Sequence, residues 1–137
     1  MTRYAIDAPT AIRLARDGIT VPAEHQLVAP NVLRSEVLSL LYRAVRAGEL
    51  EDREGKGLLD RVTTTRVRLL GDRVSRATAW QLAEGLGWQD VGRAEYLAVA
   101  RLQADVLVTE DPDLVRAAEG VVTVVGVEAL VSSWVVG

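Results

Sequence analysis

The chain has 137 residues, 49% of them apolar, and a formal net charge of -3. That is enough for one compact domain with a proper core, and it excludes a chain drawn to nucleic acid by its overall charge. There is no cysteine, which excludes disulfides and thiolate metal sites, and no apolar run approaches the roughly 18 residues of a membrane span.

Tyr4–Ile6 reads as a first strand that ends at Asp7. The start, MTRYAID, lacks the apolar stretch of a signal peptide, so a cytoplasmic protein is expected. Pro9 suits the first turn of a following helix and Gly18 its end. His25, the only histidine, falls in a loop beside Glu24, ahead of a short strand at Gln26–Val28. Leu33, Val37, Leu40, Leu41, Ala44 and Val45 recur at helical spacing, and Gly48 closes that helix. Residues 49–57, ELEDREGKG, read as an exposed charged turn leading into a helix near 58–64. Val67, Leu69 and Leu70 suit a short strand, and Asp72 or Ser75 caps a helix that runs to Leu86 and stops at Gly87. Residues 91–103 form a helix apolar nearly all round, and therefore buried. Asp105–Thr109 is a strand, Pro112–Ala118 a helix, Val121–Val125 a last strand and 126–134 a closing helix. Alternating strands and helices with no linker or repeat predict one α/β domain over 1–137, with a parallel central sheet between helical layers.

Ligands of open parallel sheets bind outside the carboxyl ends of the strands. Two predicted strands end there in acid, at Asp7 and in the run Val106-Leu107-Val108-Thr109-Glu110-Asp111. If the two strands are neighbours, Asp7 and Asp111 converge. Two carboxylates held close without a counter-charge repel, and a bound Mg²⁺ or Mn²⁺ removes that cost. A third acid, Glu36, stands at the border of the apolar stripe, one position before Val37, where it can face the same cleft. Each acid also has a plain structural use. Asp7 suits the N-cap of the helix at Pro9, Asp111 that of the helix at Pro112, and Glu36 a solvated helix face.

Other chemistries find no support in the sequence. A single histidine excludes a histidine-based zinc site, and neither a phosphate-binding glycine loop nor a GxSxG elbow is present. A phospho-acceptor receiver domain would want a lysine beyond a later strand, and Lys56 lies in the charged turn. Trp80, Trp88, Trp134 and Tyr96 read as packing residues rather than base-stacking ones. All basic residues but Lys56 are Arg. That choice favours bidentate phosphate contact, and a GC-rich genome gives the same bias.

The order YAID, then RSEVLSLLYRAV, then AEYLAVARLQADVLVTEDPDL resembles the PIN domain of VapC-type toxins over nearly the whole chain. The late block, a helix with Tyr and then a strand ending in Val-Thr-x-Asp, is its most specific part. The resemblance implies a three-layer α/β/α fold and an Mg²⁺- or Mn²⁺-dependent ribonuclease, the toxin of a type II toxin–antitoxin pair. By position, Asp7, Glu36 and Asp111 match its acids, with Asp7 and Asp111 as metal ligands, and Thr109 matches the hydroxyl that helps orient Asp111. It implies as partners an RNA substrate, a cognate antitoxin and a second copy of the chain.

The sequence departs from the family pattern in two places. Where the family usually carries an acid three residues before the Tyr of the late helix, this chain has Arg93. An inward Arg93 would salt-bridge Asp7 or Asp111 and take the metal's place. Asp90, about one turn earlier, is the acid placed to reach in instead, while Glu95 is about 200° round the helix from Arg93. After Asp7 the chain has Ala8-Pro9 where family members often have Thr-Ser, which leaves Thr10 as the nearby hydroxyl. Arg93 motivates a second reading, a catalytically weakened PIN-fold module that binds antitoxin or RNA. For dimerisation the sequence offers Trp134, Val135 and Val136 at an apolar C-terminus and an exposed Trp80 or Trp88. For RNA it offers Arg13, Arg16, Arg43 and Arg46, which equally suit a solvated face.

Overall fold

A computed structural model describes residues 1–136, with side chains as far as Trp134. Its strands are β1 (Thr2–Ile6), β2 (His25–Pro30), β3 (Val67–Leu70), β4 (Val106–Val108) and β5 (Thr123–Val125). Its helices are α1 (Ala8–Arg16), α2 (Leu33–Arg46), α3 (Asp52–Thr64), α4 (Arg73–Leu86), α5 (Gly92–Gln103), α6 (Pro112–Ala117) and α7 (Val127–Val136). The five strands form one all-parallel sheet in the order β3-β2-β1-β4-β5.

The order decides where a ligand goes. The chain builds outward from β1 through β2 to β3, then crosses back to lay β4 and β5 on the other side of β1. Crossovers of parallel strands are right-handed, so α1, α2 and α3 cover one face and α4, α5 and α6 the other. α5 lies across β1, β2 and β4 with α4 packed on it, while α1 packs on α2, α3 and α7. Adjacent strands whose connections leave in opposite directions open a crevice at their carboxyl ends, here between β1 and β4. The core is Ala, Val, Leu and Ile from both layers, with Ile6, Leu33, Val37, Leu97, Leu107 and Val108 fully buried.

Several predicted boundaries move. α3 begins at Asp52, six residues ahead of the predicted start, because Glu51 and Glu54 form a reciprocal capping box that converts the charged turn into a first helical turn. Gly55 is inside this helix for a packing reason: a Cβ there would lie 2.6 Å from Val45 Cγ2 of α2. His25 is not in a loop. It starts β2, pairs with Thr2 of β1, and packs its ring edge-to-face on Tyr4. Trp134 also meets Tyr4 edge-to-face, at 5.5 Å between centroids, so the closing helix packs on its own sheet. The side chains of Val135 and Val136 lie outside the described residues. Trp88 packs on the core, whereas Trp80 on α4 is 68% exposed.

A candidate acidic cleft at the carboxyl end of the sheet

β1 and β4 pair in register through Ile6 and Val108, which brings Asp7 and Thr109 side by side just past the pair. The contact is direct: Thr109 Oγ1 donates to Asp7 Oδ2 at 2.6 Å. Asp7 Oδ1 accepts from the Thr10 amide at 3.0 Å and from Thr10 Oγ1 at 2.6 Å. Asp7 is thus the N-cap of α1 and a buried carboxylate at the head of the cleft, 4% exposed. Three accepted hydrogen bonds leave about one of the four lone-pair positions of a carboxylate open. The substitution of Ala8-Pro9 leaves this residue supported, because Thr10 supplies the hydroxyl.

Thr109 links the second acid. The Asp111 amide donates to Thr109 Oγ1 at 3.0 Å, so one hydroxyl gives its proton to Asp7 and accepts from Asp111. Asp111 caps α6 through the Asp113 amide at 3.0 Å. Its other oxygen, Oδ2, accepts from Arg93 Nε at 2.7 Å, and Arg93 Nη2 lies 3.5 Å from Asp113 Oδ2. The hydrogen bond to Asp111, then its charge, raise the Arg93 pKa above its ordinary value. Asp113 is also paired with Arg116. Glu110, between Thr109 and Asp111, turns away to cap α7, its Oε1 accepting from the Val127 amide at 2.7 Å.

Glu36 comes from the first turn of α2, and its Oε2 accepts from the Tyr96 hydroxyl of α5 at 3.0 Å. Tyr96 is packed in the core, as its sequence position predicts, and its hydroxyl also reaches into the cleft. Burial, and then the negative field of Glu36, push the Tyr96 pKa far above the ordinary phenol range, so it remains a donor at all physiological pH. Glu95 lies close enough for Glu36 to raise its pKa, although its own desolvation is the larger cause. No sequence signal marks the Tyr96–Glu36 contact, which joins residues 60 positions apart.

Asp7, Glu36, Asp90, Arg93, Tyr96, Pro9, Gly92 and Leu114 line one cavity of about 230 Å³. Asp90 is on the rim, its Oδ1 accepting from the Gly92 amide at 3.1 Å. The structure therefore gathers Asp7, Glu36 and Asp90 on one cavity, and joins Asp111 to it through Thr109 and Arg93. Arg13, Arg16, Arg43 and Arg46 do not line it. Arg13 is paired with Asp17 and Glu128 instead, and Arg43 Nε turns back to the Ser39 carbonyl.

The donors suit a hard dication in kind, being carboxylate oxygens in a crevice open to water. Mg²⁺ is commonly held by one or two carboxylates and completes its shell with waters and phosphate oxygens. Among the described residues, no three His, Asp or Glu side chains stand together as a ready cage. The fit is that of Asp7 and Glu36 as a pair, with Asp111 engaged by Arg93.

No family model matches the sequence, and no curated protein does. Solved structures do match. PAE2754 from Pyrobaculum aerophilum superposes with a TM-score of 0.76 at 23% identity, over 99% of this chain and 97% of that one. A chain of VapBC2 from Rickettsia felis, bound to a promoter DNA fragment, matches with a TM-score of 0.61 at 10% identity, over 90% and 98%. A chain of FitAB bound to a DNA fragment matches with a TM-score of 0.56 at 15% identity, over 90% and 94%. The fold is that of VapC-type PIN domains. In this PIN fold the crevice between β1 and β4 carries the acids, and the position expected to hold a further acid carries Arg93.

Proposed function

We propose that the protein is a metal-dependent ribonuclease, the toxin of a type II toxin–antitoxin pair, acting at the cleft between β1 and β4. The observation that carries this reading is the meeting of Asp7 and Glu36 on one cavity at the switch point of a PIN fold. Mg²⁺ or Mn²⁺ held by Asp7 and Glu36, and by Asp111 once Arg93 gives up its Oδ2, would polarise an RNA phosphodiester and lower the pKa of a bound water. The chain's own residues do the positioning. Thr10 and Thr109 fix both oxygens of Asp7, and Tyr96 aims Glu36. Arg93 adds a guanidinium suited to a backbone phosphate, and Asp90 an acid on the rim.

The neighbours VapBC2, VapBC-1 of Haemophilus influenzae and FitAB support an antitoxin partner. We assign the protein to the cytoplasm and expect a homodimer, for which the exposed Trp80 is an available anchor. No described helix is long and apolar enough to cross a membrane.

The test is incubation of purified protein with structured RNAs, with Mg²⁺ or Mn²⁺ and with EDTA, beside Asp7→Ala. Metal-dependent scission that the variant loses supports the reading. Equal scission by the variant, or none in either metal, overturns it. A second reading, a PIN-fold module that binds antitoxin or RNA with weakened catalysis, is favoured by the Arg93–Asp111 ion pair. Micromolar Mn²⁺ binding by the wild type, abolished by Asp111→Ala, counts against that reading.

A further inference from the structure

We propose that Arg93 and the metal compete for Asp111, so that the Arg93–Asp111 ion pair is a closed latch on the cleft. This rests on the metal-site reading above. In the closed state both Asp111 oxygens are engaged, Oδ1 accepting from the Asp113 amide and Oδ2 from Arg93 Nε, so a dication at Oδ2 would have to share it with a guanidinium. Only Oδ2 is released when the guanidinium leaves, because Oδ1 belongs to the α6 cap. Thr109 keeps Asp111 beside Asp7 in either state, through its bond to the Asp111 backbone amide rather than to the side chain.

The latch is weak enough to open. The Arg93 side chain is 49% exposed and that of Asp111 26%, and ion pairs this open to water contribute little. The second contact, to Asp113 at 3.5 Å, is shared with Arg116, so Asp111 is the main hold. A released Arg93 has Asp90 nearby on the same cavity wall. A dication brought to Asp111 Oδ2 beside the guanidinium meets a second cation at contact range, and that repulsion opposes its binding. The metal affinity of this cleft is therefore set by the energy of breaking the latch as well as by the ligands.

The test is calorimetric titration of Mn²⁺ into the full-length wild type, Arg93→Gln, Arg93→Lys, Asp111→Asn and the Arg93→Gln/Asp111→Asn pair. Arg93→Gln should bind Mn²⁺ about fivefold tighter, the size expected from freeing an exposed pair. Arg93→Lys, which retains a competing charge, should stay within about twofold of wild type. The gain should vanish in the Asp111→Asn background, where no latch exists to open. Unchanged affinity in Arg93→Gln overturns the latch and leaves the metal site standing. A gain that persists in Asp111→Asn also overturns it, since long-range repulsion alone would then account for the effect. No binding by wild type or by Arg93→Gln at millimolar Mn²⁺ overturns the metal-site reading and the latch with it. As an independent readout, the Arg93 Nε–Hε NMR signal should shift on adding Mg²⁺ to wild type. A signal unmoved at saturation contradicts displacement.

Discussion

Thr109 holds two acids with one hydroxyl, donating to Asp7 and accepting from Asp111. Replacing it by valine leaves a buried carboxylate oxygen without a partner, which costs about 1–3 kcal/mol. Thr109→Val should therefore lower the urea midpoint, and Thr109→Ser should restore it. Tyr96→Phe, which removes the donor to Glu36, should have a smaller effect, near 1 kcal/mol, since the half-exposed Glu36 can turn to water. Glu95 gives a pH signature. Burial, and then Glu36, raise its folded pKa above the ordinary 4.5. The folded state thus binds the extra proton, and this contribution to stability is present below about 4.5 and lost as pH rises through the folded value. Glu95→Gln should be less sensitive to pH across that window and more stable than wild type at neutral pH. A denaturation series from pH 4 to 7 checks the sign. At this scale Asp7, Glu36 and Asp111 are legible as candidates because strand ends and helix borders are local patterns, whereas Thr109 is marked only by the resemblance to PIN domains. The Tyr96 hydroxyl and the fields on Glu95 are not legible, because both depend on a partner helix distant in sequence.

Helices and strands show the same division. The alternation of apolar runs with caps and glycines predicts every strand and, apart from the start of α3, every helix within a few residues, and the strand order follows from none of it. That β1 lies beside β4 is a long-range fact, yet it decides whether Asp7 meets Thr109. The early start of α3 was hidden by two glycines in a charged stretch, which read as a turn. The signal was present in Glu51 and Glu54, whose reciprocal cap outweighs the poor helix propensity of glycine. Gly55→Ala should not gain the usual helix-propensity benefit. Its Cβ would meet Val45 Cγ2 at 2.6 Å, so overpacking of about 1–3 kcal/mol opposes it. Glu110→Ala, which uncaps α7, should cost about 1 kcal/mol and leave the cleft acids in place. Thermal melts of both variants read these effects.

Taken whole, the molecule has a net charge of -3 and a cleft walled by acids, with one guanidinium set among them. Such a cleft repels RNA until its charge is offset. Under the proposed function a dication and Arg93 would supply that offset, and metal binding would then be a precondition of substrate binding. Because the folded cleft alone offers the site, metal should also stabilise the fold, by about 2.7 kcal/mol at a hundredfold excess over Kd. The most direct measurement of the central claim is Mn²⁺ electron paramagnetic resonance. Adding protein should quench the free-ion signal with one equivalent bound, and both Asp7→Asn and Glu36→Gln should weaken that binding at least tenfold. A free-ion signal unchanged by the wild-type protein, or binding that survives in both variants, would contradict it.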